Sequence, residues 1–248
     1  MSNHNLVRGS QQRCQTLTGL PRAQVAALLT DLARPSGALV TPADQWLPIG
    51  PGTPLEARLD REPDFVTTEI REALLTWWLV VRRGANTPNW DIASTCQVEG
   101  RRGLFLVEAK AHDGELSDAG KGDPGSVNGW KNHQRIGEAI AEANGALNGI
   151  LPGWALSRDH CYQLSNRIAW SWKLARLSVP VVLVYLGFLN ANEMADRGQP
   201  FVAASDWELN LRRHTHGIVP GDAWEKRLDI HGTPLWLLIR ALELHPAA

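Results

Sequence analysis

Apolar positions recur every three or four residues over 67–81, where Ile70, Ala73, Leu74, Trp77 and Val81 make one stripe, so this segment predicts a helix with Glu72 on its solvated side. A second helix is predicted over 21–33, with Pro21 in its first turn and Pro35 behind its end. A third runs around 130–146, carries Ile136, Ile140 and Ala143 on one face and stops near Gly149. A fourth, capped by Asp159 and reaching Arg176, buries Cys161, Leu164, Ile168, Trp172 and Ala175. Between the first and third, 90–100 and 103–112 read as two paired strands joined by Glu-Gly-Arg-Arg-Gly. Residues 181–189 are apolar on both faces, the mark of an interior strand covered by helices on each side.

The flanks are less regular. Residues 1–13 are polar and read as loose, and from Ser36 to Pro63 recurring Pro and Gly predict a wrapping extension anchored by Trp46 and Leu47. Near the other end, Ser205 with Glu208 and Asp222 with Glu225 resemble capping-box helix starts, and 233–242 is a strand or a buried helix. The order predicts an α/β domain with a mixed β-sheet flanked by helices. It divides into an N-terminal extension (1–66), a core (67–189) and a C-terminal extension (190–248) that completes the same domain.

Composition changes this picture little. The chain has 248 residues, 44% hydrophobic and 21% charged, which suits a packed core and argues against wholesale disorder. A formal charge of −1 means that any nucleic-acid surface must be local, from clusters such as Arg82-Arg83 and Arg101-Arg102. Cys14, Cys96 and Cys161 form no Cys-x-x-Cys pair and suggest a reducing compartment; with no apolar run near the ~18 residues of a membrane span, a cytoplasmic, soluble protein is expected.

The candidate chemistry lies on the predicted hairpin. Alternation puts Glu108 and Lys110 on one strand face, and Asp91 opens the partner strand. Two carboxylates suit a hard divalent cation, and an adjacent ammonium can polarise and position a water for attack on a phosphodiester. Asp91, sixteen residues, then Glu108-Ala109-Lys110 resembles the PD-(D/E)XK, restriction-endonuclease-like nuclease superfamily. Asn89-Trp90 stands where the name suggests a proline, a frequent departure.

The resemblance covers about 67–189 and implies a restriction-endonuclease-like core. It implies Mg²⁺ or Mn²⁺ on Asp91, Glu108 and the Ala109 carbonyl, with Lys110 orienting or activating water. Glu69 fits the glutamate of the family's first helix, and Gln163 and Arg167 fit the polar residues that its later helix aims at the site. The function it implies is metal-dependent hydrolysis of phosphodiester bonds, with DNA the first choice among nucleic acids; the rivals are a non-catalytic nucleic-acid-binding or structural module and a hydrolase of small phosphate esters. Oligomeric state stays open, a homodimer included.

Other features carry ordinary readings. His112 is expected at the surface, as is Lys110, whose removal should then spare the fold. His214-x-His216 could supply two metal ligands from one strand face, but without nearby Cys or paired acids it supports no zinc site. Ala119-Gly120-Lys121-Gly122 departs from a phosphate loop and reads as a mobile surface segment. Among eleven tryptophans, Trp130 and Trp170 are the base-stacking candidates, while most are expected in the core.

Overall fold

The computed structural model describes residues 8–245 as an α/β fold built on one mixed, open, six-stranded sheet flanked by helices. The strands are β1 (Trp46–Leu47), β2 (Ile92–Val98), β3 (Arg101–Lys110), β4 (Val181–Leu189), β5 (Arg227–Ile230) and β6 (Thr233–Glu243), in the order β1-β2-β3-β4-β6-β5. The helices are α1 (Gly9–Thr18), α2 (Arg22–Leu32), α3 (Thr68–Trp78), α4 (Val127–Asn148), α5 (Tyr162–Arg176) and α6 (Ala204–His214). Among the described residues, no helix is long and apolar enough to cross a membrane.

The hairpin β2–β3 is tighter than its predicted five-residue link. Glu99 and Gly100 turn the chain alone, with φ of 50° and 73°, the positive pair that a two-residue primed turn demands. Arg101 and Arg102 therefore enter the strand. Strand β3 runs parallel to β4, and β4 parallel to β6, so the middle of the sheet is covered on both faces as the unbroken apolar run of β4 requires.

Alternation along β3 splits the core in two. Leu104 and Leu106 face α3, α4 and α5, while Phe105, Val107 and Ala109 face α1 and α2. A fully buried Phe or Leu contributes about 1.5–3 kcal/mol, so the two layers fix which face Glu108 and Lys110 must share: that of Leu104 and Leu106.

Several predicted boundaries move. Residues 9–13, read as loose with the rest of 1–13, belong to α1, because Arg13, Cys14, Leu17 and Thr18 are buried; residues 1–7 of that stretch lie outside the described part. Asp159 does not cap α5: it is exposed and paired with Arg158, and the cap is Cys161 in a left-handed conformation (φ 44°). Ser205 lies inside α6, where Asp206 accepts instead from the Val202 N–H, and Asp222 and Glu225 pair with Lys226 and Arg240 rather than starting a helix. Residues 233–243 are a strand between β4 and β5, so the sheet extends beyond 67–189.

The end of the sheet that carries Lys110 is closed by two packing choices. Gly187 pairs in register with Lys110, and a Cβ there would come within 2.4 Å of Trp207, so only glycine lets α6 approach. The loop 116–121 is clamped rather than mobile: Cys161 N–H donates to the Asp118 carbonyl, Tyr162 N–H to that of Ala119, and Lys121 N–H to that of Arg158.

Candidate active site

Asp91 sits just before Ile92, which pairs with Val107, so its register neighbour is Glu108. The ladder ends there. Asp91 Oδ2 accepts from the Ala109 N–H at 2.7 Å, taking the place of a strand carbonyl. Because the N–H and C=O of one residue leave a strand on the same side, the Ala109 carbonyl points toward this corner too.

Glu108 is buried, and both its oxygens are engaged: Oε1 accepts from Lys110 Nζ at 2.5 Å and Oε2 from Arg167 Nε at 2.6 Å. Lys110 Nζ also donates to Gln163 Oε1 at 3.0 Å. Gln163 and Arg167 lie four apart on α5, hence on one face, and both reach the same end of the sheet. Asn166 Oδ1 accepts from Arg167 Nη1 at 2.7 Å, and the guanidinium lies over the Trp90 ring, 5.1 Å from its centre.

The structure thus brings together Asp91, Glu108, Lys110, Gln163 and Arg167. It does not bring Glu69. That residue is exposed in the first turn of α3, its carboxyl held below the usual range by the Thr67 hydroxyl. The chain around it lines a cleft with Arg102 and Gly103, at the start of β3. From Gly103 to Lys110 is about 23 Å at ~3.3 Å per residue. The helix dipole accounts for an acid there. Glu69→Ala is accordingly expected to leave any cleavage activity of the protein unchanged, a result read by comparing initial rates with wild type.

The electrostatics are those of a crowded carboxylate pair. Burial and then the charge of Glu108 push the Asp91 carboxyl up to about 8, against the pull of Lys110 and the Ala109 N–H. Burial works to raise Glu108 as well, but the charges of Arg167 and Lys110 and their hydrogen bonds hold it below its ordinary value. For Lys110, burial acts to lower the pKa and is overcome by Glu108 and then Asp91, so the ammonium stays protonated.

Lys110 is 7% exposed and His112 4%, both expected at the surface; Glu108 and Gln163 engage the Lys110 ammonium, and the segments bearing Gly114 and Gly198 cover His112. Trp170 is fully buried and cannot stack on a base, whereas Trp130 is exposed.

Three nearby acids or supports carry no sequence signal. Glu56 stands next to Ala57, which bridges Trp90, and its charge reaches Asp91. Glu115 accepts from Ser10 Oγ at 2.9 Å and from the Ala111 N–H, and its charge reaches Lys110. From the N-terminal side α1 also approaches the cluster: Cys14 is held well above a normal thiol value by burial and by Asp91, Glu56, Glu108 and Glu115. Spacing could not reveal these, because loops 48–57 and 113–115 bring them in.

The donor set tests favourably for a hard cation. Asp91, Glu108 and the Ala109 carbonyl offer only oxygen, and a divalent ion would relieve the repulsion that keeps a proton on Asp91. The competing tenants are Lys110 and Arg167, which already balance Glu108. Fold and site together define an α/β protein with a buried acid–base cluster at the C-terminal end of a parallel strand pair. Comparison with family models, curated proteins and solved structures gives no match.

Proposed function

We propose that this chain is a metal-dependent phosphodiesterase of the PD-(D/E)XK, restriction-endonuclease-like type, acting on DNA. The observation that carries the reading is the convergence of Asp91, Glu108, Lys110, Gln163 and Arg167 at one end of β3. Asp91, Glu108 and the Ala109 carbonyl would hold Mg²⁺ or Mn²⁺. Such an ion supplies charge neutralisation at the phosphate and a more acidic bound water. Lys110 spends two of its three N–H donors on Glu108 and Gln163, which leaves one to hold a water or a phosphate oxygen. Arg167, oriented by Asn166 and Trp90, fixes Glu108 and adds positive charge beside the scissile group.

A route for the nucleic acid lies along α4. A cleft of about 280 Å³ is lined by Arg83, Lys121, Asn128 and Asn132, and Lys121 Nζ lies 5.0 Å from the ring centre of Tyr162, next to Gln163. Neither Arg83 nor Lys121 forms a salt bridge among the described residues, so both charges are available to phosphates. Replacing each by Glu should weaken DNA binding about tenfold and lower the salt-dependence slope by about 1 per lost contact, as measured by binding isotherms over a salt series. Unchanged affinity and slope would remove this cleft from the route.

One observation favours a second reading. Glu108 is neutralised on both oxygens by the protein's own cations, as in a non-catalytic binding module that has no need of a metal. Metal dependence separates the two. Wild-type protein should nick or degrade DNA with Mg²⁺ or Mn²⁺ and stop on adding chelator. Salt-sensitive DNA binding with no cleavage across a panel of single- and double-stranded DNA and RNA would leave the binding module.

A further inference from the structure

Beside this oxygen-rich cluster stands a group of different chemistry. Asp118, in the loop after β3, Cys161, at the start of α5, and His214, at the end of α6, put one donor atom each within 4.8 Å of the others. His214 Nδ1 is 3.1 Å from Asp118 Oδ1, and Cys161 Sγ is 3.4 Å from that same oxygen. The imidazole of His160 adds Nε2 at 3.6 Å from the sulfur.

The geometry points to a binding site for one zinc-class ion at Asp118, Cys161 and His214, with His160 or a water as fourth ligand. With metal–ligand lengths of about 2.0–2.3 Å, a tetrahedral ion sets its donors roughly 3.3–3.8 Å apart. The two edges to Asp118, 3.1 and 3.4 Å, fall within about 0.2 Å of that range, and the Cys161–His214 edge is under 4.8 Å, so side-chain rotation closes the set. Thiolate and imidazole select a borderline ion over Mg²⁺, which separates this site from the all-oxygen one. Nothing in the sequence marks it: 43 residues separate Asp118 from Cys161 and 53 separate Cys161 from His214.

The three ligands come from three elements, and the backbone already holds two of them in place. Cys161 N–H donates to the Asp118 carbonyl at 3.0 Å, and the Cys161 φ of 44° is a strained conformation that such contacts stabilise. An ion here would tie the loop after β3 and the end of α6 to the first turn of α5. That turn carries Gln163, the partner of Lys110, so the site is a positioning device for the neighbouring cluster and holds whether or not that cluster hydrolyses DNA.

Co²⁺ titration of chelator-treated full-length protein tests this. About one equivalent should bind with a thiolate-to-cobalt charge-transfer band and tetrahedral d–d bands, be displaced by Zn²⁺, and raise the melting temperature. Cys161→Ser should abolish the charge-transfer band, and His214→Gln should weaken binding at least tenfold. Asp118→Ala should do the same, and since Asp118 is largely exposed it keeps the test valid if the buried variants do not fold. Asp91→Asn should leave the bands unchanged. A titration without a thiolate band, a band that survives Cys161→Ser, or undiminished affinity in folded Asp118→Ala would overturn the site.

Discussion

Lys110→Met should reduce metal-dependent DNA cleavage by roughly two to four orders of magnitude, the usual cost of losing a positioned proton-transfer or charge-stabilising group. Binding of Mn²⁺, followed by calorimetry, should survive, because an ammonium is not a ligand. Methionine is preferred to alanine because Lys110 is buried, so truncation would add a cavity to the lost charge. The loss of stability should be about 1–3 kcal/mol, since Glu108 keeps Arg167 but loses its second partner. The surface position expected from the sequence would have left stability untouched; burial removes that simplification. Wild-type rates in folded Lys110→Met would sink the proposed chemistry.

The two acids should respond in opposite directions. Glu108→Ala leaves the cations Lys110 and Arg167 buried and facing each other without their shared anion, a change that costs about 3–5 kcal/mol. Asp91→Asn should abolish cleavage yet stabilise the metal-free protein at pH 8. The sign follows from linkage: with a folded pKa of about 8 against an ordinary 3.8, the native state keeps a proton that the unfolded chain has released. Between these values the wild type therefore loses stability as pH rises, by a few kcal/mol in all. The asparagine variant should lack that slope. Saturating Mn²⁺ should flatten it in the wild type by taking the carboxylate ionised, and should do nothing for Asp91→Asn. Chemical denaturation from pH 5 to 9, with and without Mn²⁺, reads all three; a pH-independent metal-free wild type would place Asp91 in an ordinary solvated environment.

Much of this was legible because local signals agree. Period-two alternation over 103–110 puts Glu108 and Lys110 on one face of a strand paired with the one that Asp91 opens; the two-residue Glu99-Gly100 turn, shorter than the five-residue link expected, then sets Asp91 against Glu108, since a hairpin's register follows from its turn. The stripe of α5 fixes the side on which Gln163 and Arg167 emerge, and that side meets the same sheet end. Where signals are local but contacts are not, the reading failed. An acid in the first turn of α3 looks alike whether it serves a site or a helix dipole; only the direction of β3 separates Glu69 from Lys110 by the length of the strand.

The amino-acid sequence by itself determined the alternation of helices and strands, the pairing of the two hairpin strands and the sharing of one face by Glu108 and Lys110, because these depend on contacts between near neighbours in the chain. Tertiary structure alone decided the strand order that seats β6 beside β4, the burial of Lys110, the double pairing of Glu108 and the meeting of Asp118, Cys161 and His214. Those outcomes depend on how two apolar layers close over the sheet, and distant segments are brought together by that burial rather than by any pattern written along one of them.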